Sequence, residues 1–140
     1  MKKRKYYKCV LWCDPAGENE HMRDNLESII NDELKVNKIG YKIKILLTLE
    51  FPKESFDILF FDYGGLSVYN NTEFRDGCKN LLKHAEDHPS KFYVLWSSVT
   101  QWAIEDMLEW TGKDKPANLL YELEELYPYL IHEWNLKWDT

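Results

Sequence analysis

Apolar and polar positions along this chain switch repeatedly between a period near two and a period near 3.6, which predicts strands alternating with helices. Residues Tyr7 to Cys13 form a short run rich in β-formers that stops at the turn signal Asp14-Pro15-Ala16-Gly17, and they predict strand one. Met22, Leu26, Ile29, Ile30 and Leu34 recur at helical spacing, with Glu18 and Glu20 near the amino end where acids suit the helix dipole. Helix one therefore ends near Gly40. Tyr41, Ile43, Ile45, Leu47 and Leu49 alternate with Lys42, Lys44, Leu46 and Thr48, the pattern of an edge strand with one wetter side. The segment Phe56-Asp57-Ile58-Leu59-Phe60-Phe61-Asp62 is a continuous apolar run held between aspartates, as expected of a strand buried on both faces, and it breaks into Gly64-Gly65.

Only Glu50 to Ser55 separates the second and third strands. A parallel crossover usually takes a dozen residues and a helix. Two arrangements are therefore open: an extended strap whose helix is reduced to a turn, which is preferred, or a second strand antiparallel to the third. Asn71 or Thr72 caps a second helix with apolar positions Phe74, Cys78, Leu81, Leu82 and Ala85, ended by Asp87-His88-Pro89. Phe92 to Trp96 reads as a buried fourth strand. Ser98 and Gln101 then form a capping-box signature ahead of Ile104, Met107 and Leu108, on a helix that stops near Gly112. Pro116 stands at a first helical position before the stripe Leu119, Leu120, Leu123, Leu126 and Tyr127, and Pro128 is expected to break or kink that helix.

A chain of 140 residues, 44% hydrophobic and 15% aromatic, can bury one core, so a single domain over residues 1–140 is expected, with a core at 6–127 and a helical, aromatic extension at 128–140. The formal net charge of -6 argues against general nucleic-acid binding, and Lys2-Lys3-Arg4-Lys5 reads as a solvated lead-in. No apolar run approaches the length that crosses a bilayer, and the short run after the basic start has no small-residue cleavage site. Cys9, Cys13 and Cys78 fit reduced, packed thiols in the cytoplasm. The first strand-to-helix loop has Gly17 alone, so a dinucleotide fingerprint is absent, as is a Gly-x-Ser-x-Gly elbow. His84 and His88 have a spacing that can ligate zinc, but beside Lys83, Glu86, Asp87 and Pro89 they read as a solvated helix end.

Strands one, three and four end in Asp14, Asp62 and Ser97, and in a parallel sheet those ends share one edge. In a 2-1-3-4 order the switch point falls between Asp14 and Asp62, where open α/β sheets keep their ligands. Two carboxylates brought so close repel, and Mg²⁺ resolves the conflict, since it takes oxygen ligands from one or two carboxylates plus waters and phosphate. The Ser97 hydroxyl is then suited to a phosphoryl oxygen beside the ion.

These segments resemble response-regulator receiver domains. Asp57-Ile58-Leu59-Phe60-Phe61-Asp62 is similar to the strand that ends in that family's phosphorylated aspartate, and Val94-Leu95-Trp96-Ser97-Ser98 to its fourth strand. Val10-Leu11-Trp12-Cys13-Asp14 resembles the strand supplying the metal-binding acids, and Lys115-Pro116 resembles the Lys-Pro that follows strand five. The resemblance covers residues 7 to 127. It implies a flavodoxin-like three-layer sandwich with a mostly parallel sheet of four to five strands, from which this sequence departs in a reduced helix between strands two and three. It further implies that Asp62 accepts a phosphoryl group, that Asp14 and Asp62 hold Mg²⁺, and that Ser97 and Lys115 read the product. Such phosphoacceptor chemistry is the most enzymatic activity expected.

The family's adjacent acid pair is replaced by Asp14 between Cys13 and Pro15, so Glu18 serves as a further metal ligand only if its loop folds back. No apolar run precedes Lys115 to make a fifth strand. A degenerate receiver is the form this sequence suggests, acting in signalling or regulation through a protein partner or as a homodimer. The alternative is a phosphorylation-independent interaction module or homodimerising scaffold, using Trp102, Trp110, Tyr127, Tyr129, Trp134 and Trp138, since Trp and Tyr are enriched in binding hot spots.

Overall fold

A computed structural model of the chain describes residues 7–13, 19–39, 42–52, 55–62, 72–95 and 98–138, without the side chains of residues 19, 72–74, 98–99 and 132–138. Its elements follow as β1 (Cys9–Cys13), α1 (Asn19–Val36), β2 (Ile45–Thr48), β3 (Ile58–Asp62), α2 (Thr72–Asp87), β4 (Phe92–Leu95), α3 (Ser98–Thr111), β5 (Leu119–Leu120) and α4 (Leu123–Trp138). The strands make one sheet in the order β2-β1-β3-β4-β5, and every pairing is parallel. The expected flavodoxin-like sandwich is present, with a fifth strand.

Strand alternation divides the core into two layers. Cys9, Leu11, Cys13, Ile58, Phe60, Val94 and Leu120 pack with Leu26, Ile30 and Leu34 of α1 and Leu123, Leu126 and Leu130 of α4. Val10, Trp12, Leu59, Phe61, Tyr93, Leu95 and Leu119 pack on the other side with Cys78, Leu81 and Ala85 of α2 and Ile104 and Leu108 of α3. The central strands are apolar at successive positions because both faces are covered. Edge strand β2 keeps the wetter side its pattern predicts, with Ile45 buried and Leu46 exposed. Gly77 lets α2 lie close over the sheet: a Cβ there would sit 3.3 Å from Cη2 of Trp12.

The crossover from β2 to β3 is the strap, since among the described residues no helix lies between these strands, both of which run parallel to β1. Aromatic packing replaces what a helix would have covered. The Phe51 ring meets Trp12 edge-on at 5.1 Å and lies 4.9 Å from His84, while Phe56 is buried at the strap's end. The antiparallel alternative for strand two is thereby excluded.

The carboxyl-terminal third departs from the sequence expectation. Leu119 and Leu120 form β5 beside Tyr93 and Val94, and the last helix starts at Leu123, not Pro116. Capping explains the start: the Glu125 carboxylate accepts the backbone N–H groups of Tyr121 at 2.8 Å and Glu122 at 3.1 Å, the reciprocal half of a capping box. Gln101, expected to cap α3, instead donates to Glu105. Pro128 does not break α4, which runs through it. The hydrogen bond lost there falls on an exposed side of the helix, where water can satisfy the Glu124 carbonyl. Trp134 and Trp138 lie in α4, but their side chains are outside the described residues.

Candidate functional site at the carboxyl rim of the sheet

β1 and β3 are neighbours, and Cys13 is the direct register partner of Asp62. Adjacent strands lie about 4.8 Å apart, so the carboxyl end of β1 stands immediately beside Asp62. The sheet order reverses between these strands, because the chain steps from β1 to β2 on one side and to β3 on the other. This is the switch point where ligands of open α/β sheets bind. Asp62 is half-buried there, and Leu95 at the end of β4 is the register partner of Phe61. Asp14, Glu18 and Ser97 lie outside the described residues, as do Gly64 and Gly65.

Asp57 stands at the opposite end of β3. Its carboxylate accepts the Lys8 N–H at 2.8 Å, its own N–H donates to the Lys8 carbonyl at 2.8 Å, and its carbonyl accepts the Phe92 N–H at 3.0 Å. Asp57 thus ties the amino ends of three strands and takes no part in the rim.

Lys115 is not brought to the rim with Asp62. The resemblance puts a Lys-Pro after strand five, whereas Lys115 and Pro116 precede β5. The Lys115 ammonium donates to the Leu119 carbonyl and to the Pro116 carbonyl at 3.4 Å, and lies 5.2 Å from the centre of the Tyr121 ring. The neighbouring Asn118 carbonyl accepts the Tyr93 N–H at 2.9 Å, so by strand alternation the Leu119 carbonyl points away from β4 toward the unpaired margin. A lysine at that place guards an edge strand. Sequence reasoning missed this because two leucines are too short a run to announce a strand.

His84 and His88 are not the solvated helix end expected. Their rings stack at 3.9 Å, His88 Nδ1 lies 2.9 Å from the His84 carbonyl, and His84 Nδ1 pairs with the Tyr93 hydroxyl. The half-buried His84 ring also packs on Phe51 and Phe56, so it anchors the strap to α2. Burial, then the neighbouring His88 and Lys91, hold its pKa below the ordinary value, with Asp87 opposing. Burial likewise pushes the Cys78 thiol up to about 12 and raises that of Cys9, with Asp57 and Glu27 adding to the shift at Cys9. Both are packing residues, protonated at neutral pH. Among the described residues no cluster of three or more His, Cys, Asp or Glu is arranged to hold a metal. No described helix is long and apolar enough to cross a membrane.

The fold and rim define an α/β protein of flavodoxin-like architecture with an acidic strand end at its switch point. No protein-family model, curated protein or solved structure matches the chain.

Proposed function

We propose that this chain is a receiver-like signalling or regulatory domain that works through protein contacts, with Asp62 as its phosphoacceptor. The observation that carries the reading is the pairing of Cys13 with Asp62 at the point where the sheet order reverses. Asp14, outside the described residues, follows Cys13 in the sequence, and its carboxylate and that of Asp62 are in this reading the acids suited to Mg²⁺. In the proposed step an Asp62 carboxylate oxygen attacks the phosphorus of a phosphohistidine or a small acyl phosphate. The P–N or P–O bond to the leaving group breaks, the leaving group keeps the bonding pair, and Asp62 holds the phosphoryl group as an acyl phosphate. Bound Mg²⁺ would offset the charge on the transferred group. Asp14 and Glu18 are its further ligands in this reading, and Ser97 serves a phosphoryl oxygen. Lys115 receives no role, since its ammonium is engaged at the β5 margin. We infer a cytoplasmic location, in keeping with three buried cysteines that form no disulfide.

The test is intact-mass measurement after incubation with acetyl phosphate and Mg²⁺. The wild-type chain should gain one phosphoryl group and Asp62→Asn none. Beryllofluoride with Mg²⁺ should alter the fluorescence of Trp12, which packs 4.7 Å from Phe61 at the end of β3. A wild-type chain that gains no mass and gives no fluorescence change overturns the phosphoacceptor. A phosphorylation-independent module would then remain, and one observation favours it: Trp110, a residue type common in binding hot spots, is 90% exposed.

A further inference from the structure

Helices α2 and α3 pack side by side on one face of the sheet and leave between them a groove of about 910 Å³. Leu82, Ala103 and Met107 form an apolar floor, each only half-buried, and Trp110 stands on the rim almost wholly exposed. A large aromatic beside an open apolar groove is the kind of surface that proteins cover by association.

The walls of the groove differ in charge. The α2 wall presents Arg75, Lys79 and Lys83, which recur every fourth residue and so share one side of the helix, and it turns acidic at its carboxyl end with Glu86 and Asp87. The α3 wall presents Asp106 and α3 itself contains no basic residue, while Lys113 just past its end lies 3.8 Å from Glu86 and closes the far end of the groove, so the unlike charges face each other at the level of Lys79 and Asp106. A partner helix carrying a single sign of charge would be drawn to one wall and repelled by the other. What fits is a surface with an acidic and a basic wall in mirrored positions, and a two-fold rotation of this face supplies one.

We propose that the α2–α3 face binds a second copy of this chain, about a two-fold axis parallel to the helices, so that α2 of each copy lies on α3 of the other. Both helices return from the carboxyl edge of the sheet and therefore run in the same direction. Glu86 of α2 lies 3.8 Å from Lys113 just past α3, and Lys79 and Asp106 each stand seven residues before a member of that pair, which sets them level to within about a turn. The rotation thus sets Lys79 of each copy against Asp106 of the other, twice per dimer, with the apolar floors and the Trp110 rings enclosed between them. The proposal rests on the protein-contact half of the reading above and not on Asp62 chemistry.

Sedimentation velocity of the full chain over a range of concentrations tests it. The wild-type chain and Asp62→Asn should both associate reversibly to a dimer, so that failure of the phosphoacceptor leaves this result untouched. Lys79→Glu and Asp106→Lys should each raise the dimer dissociation constant by about tenfold or more, because each meets like charge across the interface. An equimolar mixture of those two variants should recover near wild-type affinity, since both contacts of the mixed dimer again join opposite charges. Circular dichroism of each variant verifies that it is folded. A wild-type chain that stays monomeric at every concentration overturns the proposal, and so does a mixture no tighter than its separate components. A monomeric chain would instead suit a helix of another protein that carries an acidic and a basic edge.

Discussion

The side-chain amide of Asn118 donates at 3.0 Å to the carbonyl of Ala85, 33 positions earlier in the chain. The carbonyls of His88 at 3.0 Å and Lys91 at 2.9 Å surround the same nitrogen, so its two N–H bonds are shared among three acceptors. One buried amide thus satisfies carbonyls at the end of α2 and in the turn to β4, while its own backbone leads into β5. Asn118→Ala should destabilise the protein by about 2–3 kcal/mol, because buried carbonyls lose their donor. Asn118→Asp should cost more, since a carboxylate would face three carbonyl oxygens. Urea unfolding of the three proteins checks both values. Wild-type stability in the alanine variant would mean that water replaces the amide.

Lys38 ends α1 in the left-handed region at φ 61°, with its N–H donating to Lys35 and that of Ile39 to Leu34. This is the position where helices prefer glycine, and Gly112 fills the equivalent place after α3 at φ 65°. Lys38→Gly should therefore stabilise the protein by about 1 kcal/mol, relieving a cost that only residues with a Cβ bear. A rise in the thermal midpoint is the expected reading, and a fall would show that the lysine side chain contributes more than its backbone strain costs.

His84 gives stability a pH dependence with a definite sign. Its pKa is lower in the folded protein than the ordinary 6.5, so below that value the unfolded chain binds more protons. The stability associated with neutral His84 is complete above 6.5 and is lost as the pH falls toward the folded value. Burial sets this direction, with His88 and Lys91 adding to it and the charge of Asp87 opposing. Urea midpoints at about pH 7.5 and about pH 5.5 should fall further in the wild type than in His84→Gln, which cannot titrate. Equal falls would assign the acid sensitivity to other groups.

The places where expectation and structure part are instructive. Strands one, three and four were legible because each is an unbroken apolar run, and β2 because its alternation marks an edge. The strap was legible only as a shortage: too few residues for a helix. What fills the vacated space, Phe51 against Trp12 and His84, involves residues far apart in sequence and carries no local signal. β5 shows the opposite failure. Leu119 and Leu120 fall on the apolar stripe of the following helix, and helical spacing cannot distinguish two strand residues from the first turn of a helix.

The sequence by itself determined the alternation of strands and helices, the two-sided burial of the central strands and the acid that ends β3, because periodicity and turn chemistry act over a few neighbouring residues. Only the tertiary structure decided that Cys13 pairs with Asp62, that Lys115 guards the β5 margin away from that acid, and that α2 and α3 leave an apolar groove between walls of unlike charge. Those relations depend on which segments lie side by side, and strand order and helix packing are set by burying apolar surface across the whole chain.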